Sequence, residues 1–272
     1  MNYRHAYHAG NFADCFKHAL LITLLDSLAR KPAPYFVLDT HAGAGGYDLQ
    51  AEAARRTNEA TSGIRRLLQK SSPVLERYLG LVERLGLYPG SPALIRTALR
   101  SDDRLICCEL HPEDAATLRQ RFRHDVQVEV HERSGWEALG ALLPPRERRG
   151  LVFIDPPFEA QNEFHILMDG LRRGHLRFGH GVFAAWYPVK RMAAVREFHA
   201  ALAASGIPDI ISIELHLREP IDPDRLNGCG LIVINAPYQF EIQAQSIANA
   251  VLDGLGGDEI GAGTTVVRLT DE

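Results

Sequence analysis

The strongest chemical signal in the chain is LVFIDPPF at residues 151–158, an apolar run of strand length that ends in Asp155, Pro156, Pro157 and Phe158. The exocyclic amine of adenine or cytosine is a poor nucleophile because its lone pair is delocalised into the ring. A protein that alkylates it must hold the N–H bonds in acceptors that favour a tetrahedral nitrogen. Asp155 can be one acceptor. The Pro156 carbonyl can be the second, in a loop stiffened by two prolines that fix φ and bring no amide to compete for it. Phe158 can stack on a base that has left its helix or loop. Pro-Pro also marks ordinary strand-ending turns, so the position of the tetrapeptide after a clean apolar run carries weight.

A second signal lies upstream, where Asp39-Thr40-His41-Ala42-Gly43-Ala44-Gly45-Gly46 follows the short apolar run Tyr35–Leu38. Glycines let a backbone turn tightly and approach a ligand closely at the end of a first strand. The dinucleotide pattern G-x-G-x-x-G is not satisfied, since Asp48 stands where its third glycine would be. Glu109 ends the run RLICCEL and suits hydrogen bonding to ribose hydroxyls in either a dinucleotide or S-adenosylmethionine. The tetrapeptide at 155–158 tips this choice toward S-adenosyl-L-methionine as the cofactor.

These residues need a parallel sheet to bring them together. Strand-length apolar runs occur at Leu105–Glu109, Val126–Val130, Leu151–Ile154, Val182–Trp186, Ile210–Leu215 and Leu231–Ile234. Helical patterns at Pro112–Arg123, Gly135–Leu143, Glu163–Arg173 and Lys190–Ser205 alternate with them. Residues 14–30 repeat Phe16, Leu20, Leu24 and Leu28 at helical spacing, which predicts an amphipathic helix with Asp14 as its N-cap. The stretch 218–230, rich in Pro, Asp and Gly, is too short for a crossover helix, so the last two runs should pair antiparallel. The expected fold is α/β, a doubly wound seven-stranded sheet with one reversed strand.

Some sixty residues separate Asp39 from Leu105, about twice what a simple βαβ unit takes. Residues 47–88 therefore read as a helical insertion, broken near 57–63, with the main domain in 1–46 and 89–272. The insertion carries seven Lys/Arg against five Asp/Glu. A stabilising flap and a substrate-recognition subdomain suit that composition equally.

With 272 residues, 46% of them apolar, the chain can bury a large core. A net charge of −4 argues against a protein that coats nucleic acid with its whole surface, so any RNA contact should be local. Four cysteines form no C-x-x-C pair, and twelve histidines include no H-E-x-x-H, so neither disulfide nor metal is expected. The histidine-rich start leaves no room for an apolar leader, and no apolar stretch reaches the about 18 residues of a membrane span. A cytoplasmic protein without a membrane partner is expected.

The segments YRHAYHAGNFADCFKH, LDTHAGAGGY, YPGSP, ELHP, RRGLVFIDPPF, AWYPV and GLIVINAP together resemble the RlmJ-type 23S ribosomal RNA adenine-N6 methyltransferases, along nearly the whole chain. The resemblance implies a class I, Rossmann-like methyltransferase fold, S-adenosylmethionine as cofactor and 23S ribosomal RNA as partner; a monomer is expected, although the sequence does not give the oligomeric state. It further implies cofactor contacts from His18, His41, Ser91, Glu109 and Asp155, and from Ser134-Gly135 where the family has Asp-Gly. A serine there accepts from an adenine amino group more weakly than a carboxylate does. Tyr3, His5 and Lys17 correspond to substrate-facing residues, beside Phe158. DNA adenine methylation, protein amide methylation and a non-catalytic RNA-binding module remain the alternatives.

Overall fold

The computed structural model of the protein describes residues 5–159 and 162–271. Eight strands form one sheet: β1 (Phe36–Asp39), β2 (Arg104–Glu109), β3 (Val128–Glu132), β4 (Gly150–Ile154), β5 (Val182–Val189), β6 (Ile210–His216), β7 (Gly228–Ile234) and β8 (Gly263–Thr270). Across the sheet they run β8-β6-β7-β5-β4-β1-β2-β3. The five strands β3, β2, β1, β4 and β5 are parallel. Strand β7 is antiparallel to both β5 and β6, and β8 is antiparallel to β6.

The antiparallel pairing of the runs at 210 and 231 is as the sequence predicts. The strand count is not: there are eight strands with two reversed, where seven with one reversed were expected. The additional strand β8, GTTVVRLT, lies at the sheet edge with most of its residues partly or fully exposed. Threonines and an arginine serve there, so it lacks the continuous apolar run by which a central strand is recognised.

The helices are α1 (Phe12–Ala29), α2 (Glu52–Thr57), α3 (Glu59–Ser62), α4 (Ile64–Leu67), α5 (Glu76–Arg84), α6 (Ser91–Ala98), α7 (Pro112–Phe122), α8 (Gly135–Ala141), α9 (Glu163–Arg177), α10 (Met192–Ala203) and α11 (Phe240–Leu255). Alternation along β1 divides the core. Val37 points into the layer holding α1, α6 and α11, while Phe36 and Leu38 meet α8, α9 and α10 on the other face. Helix α1 is buried nearly all round, because α6 and α11 flank it and it also touches the sheet, so Ala13, Leu21 and Leu25 are as dry as Phe16, Leu20 and Leu24.

The cap of α1 differs from the expectation. Asn11, in extended backbone, is the N-cap, and its Oδ1 accepts from the Asp14 amide at 2.9 Å. Asp14 sits one turn inside the helix, buried, with its carboxylate committed elsewhere. Both residue types cap well, and spacing alone cannot choose between them.

Order reverses between β4 and β2 on either side of β1, which is where an open α/β sheet leaves a crevice at the carboxyl ends of its strands. The loop after β1 is pinned over that crevice: the Thr40 amide donates to the Phe153 carbonyl at 3.0 Å and the Ala42 amide to the Cys108 carbonyl at 3.0 Å. A two-residue ribbon, Gly46–Tyr47 against Tyr88–Pro89, then brackets helices α2 to α5. The break in that stretch falls at Asn58, in left-handed backbone at φ 56°, and at Gly63.

Candidate active site

A cavity of about 650 Å³ lies over the carboxyl ends of β1, β2 and β4. That volume is ordinary for a small-molecule site. Its lining unites residues that are distant in sequence: Lys17 and His18 from α1, the loop Thr40–Gly43, Ser91, Glu109, Ser134-Gly135, and Asp155 to Phe158. His5 lines it as well. Tyr3 lies outside the described residues. All the other expected site residues therefore share one cavity.

At one end the Glu109 carboxylate organises the glycine loop, accepting from the Gly43 amide at 2.8 Å and the His111 amide at 2.7 Å. Gly43 has φ +59°, and a Cβ there would meet the Tyr47 hydroxyl at 2.2 Å, so only glycine fits. Gly135, first residue of α8, is equally constrained: its Cβ would lie 2.2 Å from the Thr40 carbonyl. Its neighbour Ser134 occupies the N-cap position without a side-chain cap bond and lines the cavity. The Thr40 hydroxyl holds the His41 Nδ1 at 2.8 Å, and the His41 ring meets Trp136 edge-on at 5.1 Å.

Charge gathers at the centre. Lys17 Nζ lies 2.6 Å from Asp155 Oδ2 and 2.8 Å from Asp14 Oδ1. The other Asp14 oxygen meets His5 Nε2 at 3.0 Å and accepts from the Gly10 amide at 2.8 Å. Lys17 also sits 5.5 Å from the centre of the Trp186 ring. Trp186 in turn meets Phe158 edge-on at 5.8 Å, and Phe164 meets Phe158 at 5.1 Å. Phe158 holds left-handed backbone at φ 51°. A non-glycine residue in that region signals a turn held by its surroundings.

Burial sets the protonation states. It pushes Asp14 upward, but the charges of His5 and Lys17 and the His5 hydrogen bond outweigh it and hold the carboxyl well below the usual range. Asp39 goes the other way: burial raises it to about 7, against the Ser91 hydroxyl and helped by the Asp155 charge. Asp39 Oδ2 has no hydrogen-bond partner among the described residues. Burial lowers His18 to about 3, and its Nδ1 shares a 3.1 Å hydrogen bond with the Tyr88 hydroxyl, which is itself 3.1 Å from that of Tyr78. Burial likewise takes His41 to about 3. Both imidazoles are neutral near pH 7. The cavity lining carries eight Asp/Glu against Lys17, Lys190 and Arg218, an acidic excess that suits a ligand carrying positive charge.

Asp14 and Trp186 are the central residues that sequence reasoning misses. Asp14 was legible as a polar residue one turn before Lys17 on a buried helix, where it needs a counter-charge. Trp186 gives no such sign, since an aromatic residue in an apolar strand reads as core.

A family model described as "Ribosomal RNA large subunit methyltransferase D, RlmJ" matches residues 32–267. The chain belongs to this family. It is 40% identical over 272 residues to the Ribosomal RNA large subunit methyltransferase J of Escherichia coli (strain K12), covering 97% of this chain and 96% of that protein. To the protein of the same name from Haemophilus influenzae it is 37% identical over 256 residues, 91% of each chain. A solved structure from Legionella pneumophila, 33% identical, superposes with a TM-score of 0.87 over 96% of this chain and 98% of that one. The sheet is the Rossmann-like sheet of class I methyltransferases, with β8 added at its edge. The family match begins after α1, so Lys17 and His18 fall outside the matched residues.

Proposed function

We propose that the protein transfers a methyl group from S-adenosylmethionine to the N6 amine of an adenine in 23S ribosomal RNA, as a cytoplasmic monomer. The observation that carries this reading is the position of Asp155 and Pro156 at the end of β4, in one cavity with the glycine loop and Glu109. The cavity fits the cofactor: its size is right, the Gly43 and Gly135 positions admit no side chain, and the acidic excess of its lining suits a cationic ligand. Glu109 would hold the ribose hydroxyls, Ser134-Gly135 the adenine end, and His18, His41 and Ser91 the amino-acid end. S-adenosylmethionine supplies, when bound, an electrophilic methyl group.

The chain's own residues do the rest. Asp155 accepts one N–H of the target amine and the Pro156 carbonyl the other, which draws the nitrogen toward a tetrahedral shape. Nitrogen becomes positive as it attacks, and a carboxylate in a water-poor cavity interacts more strongly with that charge than with the neutral base. Lys17, 2.6 Å from its Oδ2, holds Asp155 in place. Phe158 and His5 contact the flipped base, a role that the family resemblance gives to Tyr3 as well, and residues 47–88 form a distinct insertion on the main domain.

Labelled cofactor incubated with separate pools of unmodified ribosomal RNA, transfer RNA and DNA tests the reading. Label in the large ribosomal RNA, recovered as N6-methyladenosine, is the expected result. Transfer to DNA alone would favour a DNA adenine methyltransferase, and no transfer to any pool would favour a binding module.

A further inference from the structure

The same charged centre is tied to the segment between the two ribbon strands by a chain of contacts. Glu59, first residue of α3, places Oε1 2.9 Å from His8 Nδ1 and accepts at Oε2 from the Asn11 side-chain amide at 3.0 Å. Asn11 Oδ1 then accepts from the Asp14 amide at 2.9 Å, and the Asp14 carboxylate meets Lys17 at 2.8 Å, which meets Asp155 at 2.6 Å. Backbone contacts run alongside: the Ile64 amide donates to the Gly10 carbonyl at 2.8 Å, and the Thr57 hydroxyl donates to the Tyr7 carbonyl. Glu59 itself lines the cavity.

We infer that Glu59 is a positioning residue, which through His8 and Asn11 fixes the start of α1 and so sets the place of Lys17 and Asp155. The inference rests on the proposed reaction for its catalytic consequence alone. Its physical content is that one carboxylate fastens two side chains three residues apart at the entry to a helix. Such a clasp removes freedom from the loop where it joins α1, and a small misplacement there reaches the reacting groups. The electrostatics agree: its hydrogen bonds to His8 and Asn11 hold the Glu59 carboxyl below its ordinary value against the cost of burial, and the His8 imidazole is raised, chiefly by Glu59. One basic residue of this segment is spent within it, since Arg65 donates to the Leu49 carbonyl at 2.9 Å. On this account the segment's contribution to the site is a carboxylate that grips the N-terminal arm.

Glu59→Ala and Glu59→Gln in the full-length protein test the inference. Glutamine can still accept from Asn11 and can donate to a neutral His8, whereas alanine can do neither. Hydrogen exchange is the first readout. Glu59→Ala should speed exchange of the amides at 10–17 while amides of the central sheet strands stay protected, and Glu59→Gln should restore protection. Single-turnover methylation of unmodified 23S ribosomal RNA is the second: alanine should lower the rate about tenfold or more, with S-adenosylmethionine affinity unchanged, and glutamine should recover most of it. Unchanged exchange at 10–17 would overturn the inference. So would a rate loss matched by loss of cofactor binding or of the whole fold, since that is what a merely structural residue gives. If the wild-type protein methylated no RNA, the functional reading would fall, and the exchange experiment would still decide the role of Glu59.

Discussion

Lys17 and Asp155 meet at 2.6 Å across the cavity, with side chains only 5% and 12% exposed, although 138 positions separate them. Asp14 stands on the far side of the same ammonium at 2.8 Å. Removing the lysine leaves Asp155 without that counter-charge and Asp14 with His5 alone, a state that costs far more than an exposed pair gains. Lys17→Met is expected to destabilise the protein by about 3 kcal/mol or more. Urea unfolding measures it, and a variant as stable as the wild type would show that the triad is solvated.

Gly135 and Ser134 are adjacent and should behave differently. A methyl group at 135 would press into the Thr40 backbone, which has no room to give because Thr40 is itself bonded to Phe153. Gly135→Ala should cost about 2 kcal/mol and weaken cofactor binding by displacing the loop after β1. Ser134 makes no cap bond, so Ser134→Ala should stay within about 0.5 kcal/mol of wild type. Thermal unfolding of the two variants side by side decides this, and equal effects would contradict it.

Asp39 and His18 impose opposite pH dependences. Asp39 rises from 3.8 to about 7 on folding, so it binds a proton in the folded state that the unfolded chain has released. Its contribution is present below the unfolded value and is lost as pH climbs through the folded one. His18 falls from 6.5 to about 3, so its contribution is present above the unfolded value and is lost as pH drops. Asp39→Asn removes the first effect and leaves the second. The stability of that variant relative to wild type should therefore rise with pH between about 4 and about 7. Unfolding at a series of pH values gives the difference curve, and a flat one would refute the assignment.

What the sequence reveals and conceals follows from where each constraint acts. The Asp155 tetrapeptide and the glycine loop are legible because their chemistry is local: an acceptor pair, a stiff turn and a tight approach all lie within eight residues. The link from Glu59 through Asn11 and Asp14 to Asp155 is not legible, because each contact joins residues whose types suit many partners and the fold alone selects one. The cap of α1 shows the same limit on a small scale. Asn11 and Asp14 are both good caps, and burial of Asp14 beside Lys17 is what decides. Strand β8 escapes because an edge strand needs only half an apolar face, whereas α11 (Phe240–Leu255) is legible in principle, since its buried Phe240, Ala244, Ile247, Ala248, Val251 and Leu255 follow helical spacing.

The most direct test of the central claim is the single-turnover methylation rate of Asp155→Ala and Asp155→Asn at saturating RNA and cofactor. Asp155 is taken to hold an amine N–H and to stabilise the positive nitrogen, so alanine should slow the chemical step by about a hundredfold or more with the fold intact. Asparagine should fall between alanine and wild type, because its amide oxygen still accepts an N–H bond while the charge is gone. A wild-type rate in Asp155→Ala would contradict the account and place the chemistry elsewhere in the cavity.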